Sequence, residues 1–155
     1  MCDYCGCRST NEIADLSVEH ERVLSLVDAL RHLDASAPGS RSGGQLIDEL
    51  ATLLARHTAR EETGVFAMLA TFPEYAAYRQ RFLDDHAHLD ALANAAAADR
   101  GVLAELLDLL ESHVFAEETD LYPAIHQLFS PADWDHVDDA VHTWSTTSPV
   151  AELWR

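Results

Sequence analysis

The chain has 155 residues, 48% hydrophobic and 24% charged, with 27 acidic against 10 basic side chains and a formal net charge of -17. This length suits one domain with a sizeable hydrophobic core. The acidity argues against nucleic acid or an anionic membrane surface as a partner, because a polyanion would be repelled over most of the protein.

All three cysteines, Cys2, Cys5 and Cys7, fall at the N-terminus, in Met-Cys-Asp-Tyr-Cys-Gly-Cys-Arg. That stretch has no apolar leader core, and no apolar run approaches the ~20 residues that span a bilayer, so a cytoplasmic protein is expected. An odd cysteine count does not suit a framework of disulfides, and reduced thiols are expected. Residues 1–8 form a Cys-rich segment, 9–129 the main helical domain, and 130–155 a short helix and tail.

Ser9 with Glu12 reads as a capping box, and Ile13, Leu16, His20, Val23, Val27 and Leu30 then recur at steps of three and four. This is a long helix with His20 on its buried seam, and His32 off that seam reads as surface. The stretch Ala35–Gly44 is a loop by composition, after which Leu46, Leu50, Leu53, His57, Glu61 and Met68 mark a second helix. Thr71-Phe-Pro73 turns the chain. Tyr75, Tyr78, Phe82, His86, Leu89 and Ala93 mark a third helix, and Asp99-Arg-Gly101 turns it again. Leu103, Leu106, Leu110, His113, Glu117, Leu121 and Leu128 give a fourth, kinked by Pro123. Ser130-Pro131 reads as the cap and first residue of a fifth helix ending near residue 144. Short connections make neighbours antiparallel, so the expected fold is all-α, an up-down-up-down four-helix bundle with a short fifth C-terminal helix.

Two segments repeat: His57-Thr-Ala-Arg-Glu61-Glu62-Thr-Gly-Val-Phe66 and His113-Val-Phe-Ala-Glu117-Glu118-Thr-Asp-Leu-Tyr122. Each follows a helical segment carrying one more histidine, His20 or His86. Residues four apart share a helix face with Cβ atoms about 5–6 Å apart, so each His-x3-Glu pair can grip one metal. An isolated core histidine is ordinarily just packed and hydrogen-bonded, but four inward seams carrying histidines and two carrying glutamates are untenable without a cation. The acids on polar stretches, Asp84, Asp85, Asp138 and Asp139 among them, read as solvated surface. Imidazole with carboxylate suits iron, manganese or zinc rather than calcium or magnesium, and redox-capable iron fits best.

No glutamate has a histidine three residues later, which argues against the Glu-x-x-His pattern of ferritin-like proteins. The order His, His-x3-Glu-Glu, His, His-x3-Glu-Glu, with an aromatic five residues beyond each first Glu, resembles the hemerythrin-like (HHE cation-binding) family over about residues 9–129. The resemblance implies a pair of iron ions, oxo- or hydroxo-bridged, held by His20, His57, Glu61, His86, His113 and Glu117, with Glu61 and Glu117 as bridges. One departure stands out: oxygen-carrying hemerythrins supply a second histidine four residues on in the third helix, and here that position is Asp90. His88 faces elsewhere. Asp90 is expected near the site, as an oxygen ligand or a partner of a ligand, and reversible oxygen carriage is not expected.

Cys2, Cys5 and Cys7 form a second candidate site for zinc or iron. At ~1.5 Å per helical residue they lie of order 15–20 Å from the main centre. A fourth ligand is expected from His126, His136 or His142, which chain direction brings to the same end.

The function expected is a non-heme diiron protein reacting with O2, H2O2 or NO, in protective or oxidase-type chemistry. Two alternatives are an oxygen or iron sensor without catalysis and a zinc-bound scaffold. Small molecules are the expected partners, and a protein partner stays unknown at this point.

Overall fold

The structure, a computed structural model, describes residues 6–7, 10–33 and 42–148. Among these the chain is helical and forms no strand: α1 (Asn11–Arg31), α2 (Gly43–Thr63), α3 (Val65–Leu69), a 3-10 turn (Pro73–Tyr75), α4 (Ala76–Ala96), α5 (Arg100–Ala116), a π turn (Glu117–Leu121), α6 (Tyr122–Leu128) and α7 (Pro131–Thr147). None of these helices is long and apolar enough to cross a membrane.

The four long helices close a ring of contacts, α1 on α2, α2 on α4, α4 on α5 and α5 on α1. Their apolar seams make two separate clusters. One holds Val23, Val27 and Leu30 of α1 with Leu46, Leu50 and Leu53 of α2, Leu89 and Leu92 of α4, and Leu106 and Leu110 of α5. The other holds Ile13 and Leu16 with Val65, Phe66, Phe82, Leu121, Tyr122 and Ile125. Each fully buried side chain of this size contributes about 1.5–3 kcal/mol. Between the clusters, at the point where every seam passes from one to the other, lie the buried His20, His57, Glu61, His86, His113 and Glu117.

Several ends differ from expectation for local reasons. The N-cap of α1 is Thr10 without a side-chain cap bond, and Glu12, expected in a capping box, is drawn inward instead to a bidentate pair with Arg60 at 2.7 and 2.8 Å. Ser9 lies outside the described residues. α2 begins two residues inside the expected loop, because Ser42 and Gln45 form a reciprocal capping box. The fourth helix is interrupted ahead of Pro123 rather than at it. Proline clashes with the carbonyl four residues back, here Thr119, and the widened π turn takes up that misfit. α7 follows the expected Ser130–Pro131 start, with an Asp133 capping box, and runs a turn longer than expected, to Thr147.

Gly64 ends α2 and admits α7. A β-carbon there would lie 2.8 Å from Val141 Cγ2 and 3.3 Å from Val137 Cγ1. Gly64→Ala should therefore destabilise the fold by about 1–3 kcal/mol through overpacking. Gly44→Ala, whose β-carbon would meet only Ser42 Oγ at 3.9 Å, should be neutral or stabilising by up to about 1 kcal/mol from helix propensity. Chemical denaturation of the two variants checks the contrast.

Candidate metal centre

Helical periodicity brings one histidine from each of α1, α2, α4 and α5 to a common level, and the i,i+4 spacing adds Glu61 and Glu117. The donors form two groups, His20, His57, Glu61 and Glu117, and Glu61, His86, His113 and Glu117, each with its ligand atoms within 4.8 Å of one another. Both carboxylates belong to both groups. Among the described residues no other such group of His, Cys, Asp or Glu exists.

The Nε2 atoms turn inward. His20 Nε2 is 2.9 Å from His57 Nε2 and 3.1 Å from Glu117 Oε2. His57 and His86 Nε2 each lie 3.3 Å from Glu61 Oε2, and His113 Nε2 lies 3.1 Å from Glu117 Oε1. Close as they are, Glu61 Oε2, both oxygens of Glu117 and Nε2 of His86 and His113 form no hydrogen bond in this arrangement. They point at shared space rather than at each other.

The outward Nδ1 atoms explain why. His20 Nδ1 meets Glu118 at 3.0 Å, His57 Nδ1 meets Glu19 at 3.1 Å and His86 Nδ1 meets Glu62 at 3.0 Å. His113 Nδ1 lies 3.5 Å from Asp85, near enough for charge attraction though not for a hydrogen bond. A carboxylate accepting from Nδ1–H leaves Nε2 as a lone-pair donor, the tautomer that binds a metal. Two such lone pairs facing at 2.9 Å, as in His20 and His57, require a proton or a cation between them. The donor set thus fits a pair of cations.

These partners follow the repeat with a regularity that the sequence reading missed. The second glutamate of each doublet supports the lone histidine of a neighbouring helix, Glu62 for His86 and Glu118 for His20. The acid preceding each lone histidine supports the histidine of the His-x3-Glu pair, Glu19 for His57 and Asp85 for His113. The full repeat is acid-His followed by His-x3-Glu-Glu, and its first acid was legible only as another surface charge. Asp85, expected as solvated surface, is half-buried against His113 instead. The two halves differ in shielding: the Glu118 and Glu19 side chains are 6% and 8% exposed, those of Glu62 and Asp85 48% and 35%.

Arg60 reinforces the first half alone. It bridges Glu12, Asp15 at 2.9 Å and Glu19 at 3.2 Å, tying α1 to α2 behind His57. The matching position in the second repeat is Ala116. Burial opposes ionisation of Glu19, but His57 and Arg60 outweigh it and lower its pKa. Tyr122 is a second asymmetry: its hydroxyl donates to Glu61 Oε1 at 2.7 Å and its ring stacks on His20 at 5.5 Å, while the matching Phe66 has no hydroxyl.

The field at the centre is strong. Burial works against protonated His20 and His86, yet contacts with Glu117 and Glu118 push His20 up to about 10, and contacts with Glu117, Glu61 and Glu62 push His86 up to about 11. Burial also opposes the charged forms of Glu61 and Glu117, and the surrounding imidazoles prevail, lowering both, Glu117 well below the usual range.

The remaining candidates separate from this centre. Asp90 is exposed and belongs to neither donor group; it lines a cavity of about 110 Å3 between α2 and α4 whose wall includes His86. His88 is exposed, 3.7 Å from Glu105. At the N-terminal end the expectation of reduced thiols is corrected: Cys7 is buried and disulfide-bonded, and a sulfur in a disulfide is not a thiolate ligand. Cys2 and Cys5 lie outside the described residues. His126 bonds Thr10 at 3.1 Å, His136 Nδ1 donates to the Ala132 carbonyl one turn back in its own helix, and His142 is exposed; none joins a donor group among the described residues.

Glu61→Ala should lower metal stoichiometry, because it removes a donor common to both groups. Glu62→Ala should leave stoichiometry intact and weaken affinity about 10–100-fold through His86. Equal losses by metal analysis would show that the wrong member of the doublet has been chosen. Metal loading in weak buffer near pH 7.5 should release protons. His20 and His86, with pKa values near 10 and 11, hold protons at that pH and must surrender them to bind. Metal affinity should accordingly rise with pH, measured as proton release and as affinity at two pH values.

No curated protein and no solved structure matches the chain. A family model does, that of the hemerythrin HHE cation binding domain, over residues 6–69. The matched stretch carries α1, α2 and α3, hence His20, His57 and Glu61, while His86, His113 and Glu117 lie beyond it and repeat its pattern. Residues 6–69, less than half of the chain, are thus similar to the hemerythrin HHE cation binding domain.

Proposed function

We propose that this chain is a non-heme diiron protein of the hemerythrin-like kind, an up-down-up-down four-helix bundle with a fifth helix, which reacts with oxygen, peroxide or nitric oxide. Two irons are to be held by His20 and His57 on one side, His86 and His113 on the other, and Glu61 and Glu117 between. The observation that carries this reading is the pair of donor groups sharing both carboxylates, with buried donor atoms left unpaired. The bundle topology draws support from the core: α1 and α4 run from the Phe66 cluster to the Leu50 cluster, and α2 and α5 run the other way.

Bound iron would supply one-electron redox change and Lewis acidity at positions the protein leaves open. Each group offers four donor residues, fewer than an octahedral ion takes, so exchangeable positions remain. The protein's own part is to fix the imidazole tautomers through Glu19, Glu62, Glu118 and Asp85, and to keep bulk water out with the Phe66, Phe82 and Tyr122 rings. Asp90 belongs to neither donor group, and no described residue supplies a seventh donor, which favours oxidative or protective chemistry over reversible carriage.

A second reading, iron or oxygen sensing, has its own support. The donors come from four different helices, and losing the cation leaves their buried atoms without partners, so iron loss would loosen the bundle.

Anaerobic reconstitution with ferrous iron, followed by metal analysis and ultraviolet-visible spectra before and after air, tests both readings. Two irons per chain and near-ultraviolet charge-transfer bands of a diferric pair are expected, formed on first exposure and not reversed by removing oxygen. A colourless, redox-silent protein holding zinc would overturn the iron chemistry. Repeated reversible oxygenation would overturn the inference from Asp90.

A further inference from the structure

The two shared carboxylates are not equivalent, and the difference traces to one hydroxyl. Glu117 is fully buried with both oxygens unpartnered: Oε2 lies 3.1 Å from His20 Nε2, in the first donor group, and Oε1 lies 3.1 Å from His113 Nε2, in the second. Glu61 is equally buried, but only its Oε2 is unpartnered. That single oxygen stands 3.3 Å from His57 Nε2 and 3.3 Å from His86 Nε2, facing one imidazole of each group. Its other oxygen, Oε1, accepts the Tyr122 hydroxyl at 2.7 Å. Tyr122 is itself held: its ring is fully buried and stacks on His20 with an interplanar angle of 9°. Glu117 has no such keeper, because the matching position in the first repeat is Phe66.

We infer that Tyr122 is a positioning residue that confines Glu61 to its Oε2, so that Glu61 spans the two metal ions through one oxygen while Glu117 spans them through two. This rests on the diiron reading above. A buried phenol hydroxyl has few other acceptors, and a carboxylate oxygen that accepts it is a poorer metal donor than a bare one. The hydrogen bond therefore both selects the oxygen and withdraws charge from the bridge. One shared oxygen atom holds two cations closer together than a two-oxygen carboxylate span does, so the hydroxyl sets the spacing of the pair.

The test is Tyr122→Phe, which keeps the ring and its stacking on His20 and removes only the hydroxyl. Full-length wild type and variant are loaded anaerobically with ferrous iron and compared for iron per chain and, by X-ray absorption, for iron–iron separation. Two irons per chain in both, with a separation longer by a few tenths of an ångström in the variant, is the expected result. A full iron pair with unchanged separation overturns this inference alone. Wild-type protein that holds no iron pair overturns the diiron reading and this inference with it. Should the variant lose iron or fail to fold, a crystal structure of ferrous wild type decides. Glu61 bound through Oε2 alone, with Oε1 still on Tyr122, is expected, and Glu61 bound through both oxygens overturns the proposal.

Discussion

Two carboxylates buried side by side in the middle of a helical core are the constraint on which the remaining structure depends. Glu61 and Glu117 are both 0% exposed, and an uncompensated pair of such charges would cost several kcal/mol per ion. Four imidazoles surround them, four outer acids orient the imidazoles, and Arg60 answers the added negative charge on one side. Each layer exists because the layer inside it carries charge away from water. The apolar clusters above and below then fix the depth of this polar layer, since shifting any helix by a turn would bring leucine against carboxylate.

Much of this was legible in the sequence because the two periods involved are short and strong. Apolar residues at steps of three and four gave the helices, and a histidine or glutamate on such a seam breaks the pattern visibly, as His20, His57, Glu61, His86, His113 and Glu117 do. Residues that act from the flank of a seam carried no such mark. Glu19 and Asp85 sit one residue before a seam position, where a charge is ordinarily solvated, and Arg60 is indistinguishable in sequence from Arg56. Their roles depend on which helix lies alongside, which periodicity does not report. The break at Gly64, which arises from packing against α7, was likewise hidden, whereas Pro123 announced a disturbance of the fourth helix, and only its form and place, a π turn over Glu117–Leu121, were not legible.

The internal repeat makes the differences between halves informative. Where the first half has Arg60, the second has Ala116; where the second has Tyr122, the first has Phe66; where the first has Gly64, the second has Asp120. Each difference changes the contacts around its own position, while both copies keep the same donor residues. Arg60 rigidifies the α1–α2 side, Tyr122 differentiates the two shared carboxylates, and Gly64 gives α7 its seat. A duplicated frame has thus been kept for the donors and made asymmetric around them.

The unequal exposure of the outer acids carries a further consequence. Glu19 and Glu118 act on His57 and His20 from inside the protein, where dissolved ions do not reach. Glu62 and Asp85 act on His86 and His113 from positions in contact with water, where solvent and dissolved ions weaken a carboxylate's field more than they do inside the protein. Salt concentration therefore bears unequally on the two halves of the centre: raising it weakens the pull on the α4 and α5 imidazoles more than that on the α1 and α2 pair.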